Sequence, residues 1–121
     1  MEDQKKDPLT AALKTTWTPD VEFNAKREAD KKVTVTIEWP TIEEFDFVTG
    51  KAEGTTSMFH RLTRNFCKTI ENFEIAGVPV LSGAELVAVR SRGAVKARSL
   101  SINIGSYIFE QSVLTEGEEK N

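Results

Sequence analysis

The chain contains few of the residues that form metal sites and disulfides. Among its 121 residues there is one cysteine, Cys67, and one histidine, His60. A single cysteine excludes an internal disulfide and a multi-cysteine zinc site. We therefore expect a protein of a reducing compartment that binds no metal.

Long hydrophobic runs are missing as well. The longest apolar stretches, at 78–81 and 86–89, are four residues long, whereas a membrane-spanning helix needs roughly 20. The first seven residues include two lysines, but no apolar segment of the kind found in signal peptides follows them. These absences predict a cytoplasmic protein without a membrane partner.

Recognised catalytic and cofactor-binding motifs are absent too. The chain has no Walker loop, no dinucleotide-binding fingerprint and no Gly-x-Ser-x-Gly elbow. On one helix, the spacing between His60 and Cys67 would separate them by about 10 Å, too far for proton transfer. The acidic groups at 43–46 and 116–119 are interpreted as solvated, because nothing around them indicates a concave site. The sequence therefore predicts that the protein is not an enzyme and has no cofactor.

What the chain does have is the composition of one soluble domain with an uneven charge distribution. Its side chains are 39% hydrophobic and 29% charged, and its net charge is -3. Residues 1–60 carry 12 acids and 8 bases, residues 61–98 carry 3 acids and 7 bases, and residues 99–121 carry 4 acids and 1 base. This acidic, basic, acidic order favours association with oppositely charged surfaces, including copies of the same chain.

The chain divides into a polar arm and a body. Residues 1–31 are mostly polar and are interpreted as an N-terminal arm, in which Trp17 and Phe23 are large apolar groups expected to dock on the body or on a partner. Residues 32–121 are interpreted as a single α+β domain that ends in a short acidic tail. The smaller core that results makes contact with other chains more important for stability.

The body begins with one clear strand. Apolar residues alternate strictly with polar ones from 33 to 39, which is typical of a half-buried strand. Its partner is left open among residues 21–23, residues 44–48 and another subunit. Residues 41–48 also fit a short helix that begins with a capping box at Thr41 and Glu44.

Three helices are predicted after that strand. The first has an apolar face at three- and four-residue spacing, the second follows a capping box at Ser82 and Glu85, and the third begins near residue 95 or 97 and ends near 113. The predicted fold is therefore α+β, with a mainly helical body, a short antiparallel sheet around residues 33–39 and an extended N-terminal arm. The apolar stripes of the first and third helices are Met58, Leu62, Phe66, Ile70 and Phe73, and Leu100, Ile104 and Ile108.

A basic patch lies between the second and third helices. Four bases fall within nine residues and have the charge needed to contact phosphates: Arg90, Arg92, Lys96 and Arg98. Two observations disfavour nucleic acid as a partner: the basic stretch has no interleaved aromatic residues, and the isoelectric point is near 5.3. A small nucleic-acid-binding module remains the third of three hypotheses.

The last 55 or so residues carry a family resemblance. An amphipathic helix containing Phe66, Ile70 and Phe73 leads into Gly-Val-Pro-Val-Leu-Ser-Gly-Ala-Glu-Leu at 77–86, and the chain closes at 112–121 with Ser-x-Leu-Thr, an acidic run and Lys-Asn. This order resembles the small tail-assembly chaperones and related tail proteins of long-tailed bacteriophages. Gly117 stands where the family usually has another acid, and the strand-bearing N-terminal half has no counterpart in the resemblance.

The resemblance implies a small, mainly helical, non-enzymatic protein of the infected host's cytoplasm. It implies binding to the tape-measure protein, whose hydrophobic helices are kept soluble, and to tail-tube subunits. The candidate partner-binding residues are Trp17 and Phe23 in the arm and the stripe residues Met58, Leu62, Phe66, Ile70, Leu100, Ile104 and Ile108. The stripes are divided between the core and the partner groove. Which stripe does which is left open, and a core position is the preferred interpretation for each residue.

The alternative is a structural virion protein of the tail, baseplate or head-tail joint. In that case the strand at 33–39 completes a sheet with a neighbouring subunit, and the arm from Trp17 to Phe23 docks on that neighbour. Assembly into a homo-oligomer is left open under both hypotheses.

Overall fold

The computed structural model describes the backbone of residues 13–119 and the side chains of residues 13–113. The predicted α+β class is confirmed: within this part of the chain, a small antiparallel sheet packs against helices. The strands are β1 (Lys14–Trp17), β2 (Thr34–Glu38), β3 (Cys67–Glu71), β4 (Glu74–Ile75) and β5 (Val78–Pro79). The helices are α1 (Glu22–Ala25), α2 (Ile42–Gly50), α3 (Thr55–Phe66), α4 (Gly83–Val87) and α5 (Val95–Glu119), with a 3-10 turn at Ala29–Lys31.

The strand predicted from alternation is the centre of the main sheet. The order is β1-β2-β3, antiparallel throughout, and Val33, Val35 and Ile37 face the core while Thr34 and Thr36 face outward. The partners are neither of the segments considered from the sequence, nor another subunit, but Lys14–Trp17 on one side and Cys67–Glu71 on the other.

Part of the predicted polar arm is thus integrated into the domain. Trp17 of β1 stacks on Tyr107 of α5 with ring centroids 3.8 Å apart, and Phe23 of α1 lies 5.8 Å from Phe73. Residues 13–31 therefore pack against the body, because their few large apolar groups find matching aromatic rings there. The rest of the predicted arm lies outside the described residues.

A buried asparagine side chain also holds residues 13–31 against the body, and we call its contacts the Asn24 clamp. Asn24 is fully buried; its amide Nδ2 donates to the carbonyl oxygens of Pro19 and Val33, at 2.8 and 3.1 Å, and its Oδ1 accepts from the backbone N of Val33 at 2.7 Å. The side chain pairs with Val33 as a neighbouring strand would. It thereby extends the hydrogen bonding of the sheet where β2 begins.

The first predicted helix is shorter than its apolar spacing indicated. It ends at Phe66, and Cys67–Glu71 continues as β3 instead of helix. Ile70 is nevertheless buried, because the chain enters the sheet on the side that faces the same core. A buried run can keep its apolar residues in register across a helix-to-strand junction, so periodicity alone does not show the boundary.

The core lies between the sheet and the crossing of α3 with α5. Its most buried members include Ile37, Leu62, Leu100, Ile104 and Ile108, all with no measurable exposure.

The capping boxes correctly predicted where α2 and α4 begin. Thr41 and Glu44 form a complete box, and the Ser82 hydroxyl accepts from the backbone N of Glu85 at 3.2 Å. Within the described residues, no helix is both long and apolar enough to span a membrane.

Candidate functional site

A surface groove lies where the edge strand, the start of α2 and the C-terminal half of α5 meet. It has a volume of about 660 Å³. Aromatic and aliphatic side chains make up most of its lining: Leu13, Trp39, Pro40, Ile42, Phe45, Tyr107 and Val113, with Thr15, Thr41, Asp46, Gln111 and Ser112 between them. We call this feature the apolar groove.

The floor of the groove is a fixed aromatic cluster. Trp39 lies 5.9 Å from the ring of Tyr107, whose other neighbour is Trp17. The indole nitrogen of Trp39 donates to the hydroxyl of Thr15 at 2.8 Å, so this polar atom is already satisfied within the fold. Phe45 packs against Phe109, with ring centroids 5.9 Å apart. The floor therefore offers apolar faces held in place by the fold, which lowers the entropic cost of binding.

Three aliphatic side chains on the groove are exposed. Ile42 is 81% exposed, Leu13 is 59% exposed and Val113 is 40% exposed. The capping box holds Ile42 at the first position of α2, where its side chain makes little contact with the domain. A contiguous apolar surface of this kind is typical of a protein interaction site.

The segment that supplies much of the groove is also acidic. Residues 33–50 carry four acids, Glu38, Glu43, Glu44 and Asp46, and no base. Asp46 itself lines the groove, and Glu43 and Glu44 are exposed in the first turn of α2. The groove is therefore an apolar surface with negative charge at its α2 side.

The outer edge of β1 adjoins the groove. The backbone N of Trp39 donates to the carbonyl oxygen of Leu13 at 2.9 Å, so the alternate residues Lys14 and Thr16 direct their backbone groups away from β2. Among the described residues, no strand pairs with that edge.

Six of the predicted partner-binding residues prove to be core residues. Leu62, Phe66, Ile70, Leu100, Ile104 and Ile108 are each at most 7% exposed. Five of them are buried where the apolar faces of α3 and α5 cross, and Ile70 of β3 belongs to the same core cluster. Their burial places these six in the core, the position preferred for each from the sequence, and not in a partner groove.

The other three candidates are half-buried. Trp17, Phe23 and Met58 pack against the edge of the core. The ring of Phe23 also receives two cations, with the Arg27 guanidinium carbon 5.1 Å and the Lys96 nitrogen 5.5 Å from its centroid. Their main contacts are thus within the chain.

The predicted basic patch is exposed at the other end of α5. Arg90 and Arg92 lie in the loop after α4, and Lys96 and Arg98 lie in the first turns of α5. Val95, between them, is 75% exposed. The first turn of α5 holds no acid, so its positive helix end adds to the charge of these side chains.

His60 forms a serine contact that the sequence did not indicate. Its Nδ1 lies 2.7 Å from the Ser101 hydroxyl, and Nε2 has no hydrogen-bond partner among the described residues. Burial, and secondarily the charge of Arg98, lower the pKa of His60. Ser101 is only 2% exposed and borders a small cavity of about 150 Å³. A nucleophile needs an accessible oxygen, so this pair has the geometry of a structural hydrogen bond.

Cys67 has the properties of a structural residue. Its side chain is 1% exposed, its Sγ donates weakly to the carbonyl oxygen of Thr69, and burial raises the pKa of its thiol to about 12. The reactive thiolate is therefore scarce near neutral pH. Within the described residues, no group of three His, Cys, Asp or Glu side chains is placed to hold a metal ion.

None of the groove residues was among the candidates chosen from the sequence. The available signal was Ile42, an apolar residue placed directly after an N-cap and followed by two acids. The groove itself forms from three separate segments of the chain, so no local pattern contains it. No protein-family model, curated protein or solved structure matches the chain.

Proposed function

We propose that this chain is a non-enzymatic, chaperone-like phage tail-assembly protein that holds apolar segments of a tape-measure protein in its apolar groove. The observation that carries the proposal is the exposure of Leu13, Ile42 and Val113 around a fixed aromatic floor. The C-terminal family resemblance supplies the identity of the client and of the tail-tube subunits as further partners. The protein acts in the cytoplasm of the infected host.

The shape of the groove favours an amphipathic helical client. Helix-in-groove recognition places apolar anchors from one helical face into an apolar channel, and a cavity of several hundred Å³ lined by aromatic rings suits such anchors. The acids beside the groove disfavour an acidic client and favour one with flanking lysines or arginines. A tape-measure segment covered in this way loses the apolar surface through which it aggregates.

Co-expression tests the proposal. A tape-measure fragment of at least 40 residues with amphipathic helical periodicity is produced alone and together with this chain. We expect the fragment to be insoluble alone and to co-purify with this chain as a soluble complex. A fragment that aggregates equally in both cases contradicts the proposal.

The second candidate, a structural virion protein, is favoured by one observation. The outer edge of β1 presents Lys14 and Thr16 without a strand partner among the described residues, which would allow a neighbouring subunit to extend the sheet. The form of this hypothesis in which residues 33–39 complete a neighbour's sheet is corrected, because β2 already has a strand on each side.

Mass spectrometry of purified particles separates the two candidates. A virion component is present in a stoichiometric amount, whereas an assembly chaperone is absent from the finished particle. Finding the chain in stoichiometric amount would replace the chaperone proposal with the structural one.

A further inference from the structure

The two ends of α5 carry surfaces that complement each other. At its C-terminal half lies the apolar groove, supplied in part by the acidic segment 33–50. At its N-terminal end lies the exposed side chain of Val95 among the four basic side chains at 90–98. We call the second surface the basic pole.

The two segments that supply much of these surfaces carry charges of opposite sign. Residues 33–50 carry four acids and no base, whereas residues 86–109 carry four bases and no acid. The four bases are Arg90, Arg92, Lys96 and Arg98, and all are exposed. Complementary potentials of this kind select a partner and set its orientation.

The basic pole also carries an exposed apolar side chain, Val95, that the groove could bind. Val95 is 75% exposed, and Val87 and Val89 just before it are half-buried. Gly93 has a φ of 75°, which turns the chain sharply before α5 and leaves Val95 prominent at the helix start. An aliphatic projection surrounded by bases matches an apolar groove that has acids at its α2 side.

One chain cannot bring its own two surfaces together. Val95 and Val113 both belong to α5, and the 1.5 Å rise per residue of an α-helix places them about 27 Å apart. The complementary surface must therefore come from another molecule. When the copies are arranged head to tail, such a contact is heterologous and can repeat from copy to copy.

We propose that this protein self-associates head to tail, with the basic pole of one copy seated in the apolar groove of the next. The occupant of the groove in the isolated protein is thus a second copy of the chain. The contact does not depend on a tape-measure client, although a client that takes the groove displaces the neighbouring copy.

Sedimentation of the purified full chain tests this contact in the absence of any client. We expect the average mass to rise with protein concentration beyond that of a dimer, and the apparent association constant to fall at least tenfold between 50 and 500 mM NaCl. A chain that remains monomeric at every concentration in 50 mM NaCl overturns the proposal. So does a closed dimer, whose two copies are related by a two-fold axis and are not arranged head to tail.

Two variants identify the surfaces. Arg90→Ser with Arg92→Ser disables the pole, and Glu43→Lys with Asp46→Lys disables the groove side; all four side chains are exposed, so the fold is expected to persist. Each variant alone is expected to be monomeric. Variants that associate like the unchanged chain overturn the proposal.

Mixing the two variants gives the sharpest result. Each retains one intact surface, so a 1:1 heterodimer is expected, and it cannot grow further. The matched control for the pole is Lys31→Ser with Lys68→Ser, two exposed bases outside both surfaces, and it is expected to associate like the unchanged chain. A mixture that stays monomeric, or a control that dissociates as the pole variant does, overturns the assignment.

Discussion

Gly105 of α5 lies directly against the backbone of Phe59 in α3. A Cβ added at Gly105 would overlap the carbonyl oxygen of Phe59. The absence of a side chain is therefore what allows the two longest core helices to cross this closely. Thr63, whose hydroxyl donates to the carbonyl oxygen of Ser101 at 2.6 Å, ties the helices together one turn away.

Replacing Gly105 tests the importance of this crossing. We expect Gly105→Ala to lower the free energy of unfolding by about 3 kcal/mol, since backbone atoms must move to admit the methyl group. The control is Gly50→Ala in α2, where a Cβ meets nothing within 4 Å and the change is expected to be neutral or slightly stabilising. Urea titrations measure the free energy of unfolding of both variants. If Gly105→Ala is as stable as Gly50→Ala, the crossing tolerates a side chain.

The Asn24 clamp is expected to be essential for docking residues 13–31. Asn24→Ala removes the partners of the Val33 backbone N and C=O and of the Pro19 carbonyl, at a cost of about 3 kcal/mol. Asn65→Ala serves as the control, because that amide donates only to the carbonyl of Arg61 within its own helix. Thermal unfolding measures both, and a loss no larger for Asn24 than for Asn65 contradicts the clamp.

His60 gives the fold a specific pH dependence. Its pKa is lowered in the folded state by burial and by Arg98, so the unfolded state binds more protons in the range between the folded and unfolded pKa values. Its contribution to stability is therefore complete above about pH 6.5 and is lost as the pH falls toward the folded pKa. The single histidine gives one imidazole signal in NMR, whose midpoint we expect below 6.5 and closer to it in Arg98→Gln. A midpoint above 6.5 would contradict the lowering of the His60 pKa by burial and by Arg98.

The thiol of Cys67 is expected to be unreactive in the folded protein. Burial and a pKa of about 12 leave little accessible thiolate at pH 8. Modification by a disulfide reagent should be at least 100-fold slower in the native protein than in 6 M guanidinium chloride, where the thiol is exposed. Equal rates would place Cys67 at the surface.

Local patterns in the sequence predicted the parts of the fold that one segment determines. The alternation from Val33 to Ile37 fixed the faces of β2, and Thr41 with Glu44 marked the start of α2. Lys14–Trp17 was not predicted as a strand, because it contains one large apolar residue and owes its place to the stack on Tyr107. Which segments a strand or helix packs against depends on residues far away in the sequence, and local spacing does not show this.

The candidate site was harder to predict for the same reason. The strongest apolar stripes form the core, as Leu100, Ile104 and Ile108 show. The groove is instead assembled from weaker apolar positions, such as Leu13 and Ile42, that become neighbours only after folding. In this domain the most regular apolar stripes form the core. Exposed apolar residues outside those stripes indicate the surface that binds a partner.

The most direct test of the central claim is the effect of Ile42→Asp on co-purification of the tape-measure fragment. Ile42 is 81% exposed at the first position of α2, where an added carboxylate is compatible with the helix dipole, so the fold should keep its full stability. Val78→Asp, at a position 64% exposed on the β4–β5 hairpin, is the matched control. We predict at least a tenfold loss of bound fragment for Ile42→Asp and none for Val78→Asp; equal retention of the fragment by both variants would contradict binding through the apolar groove.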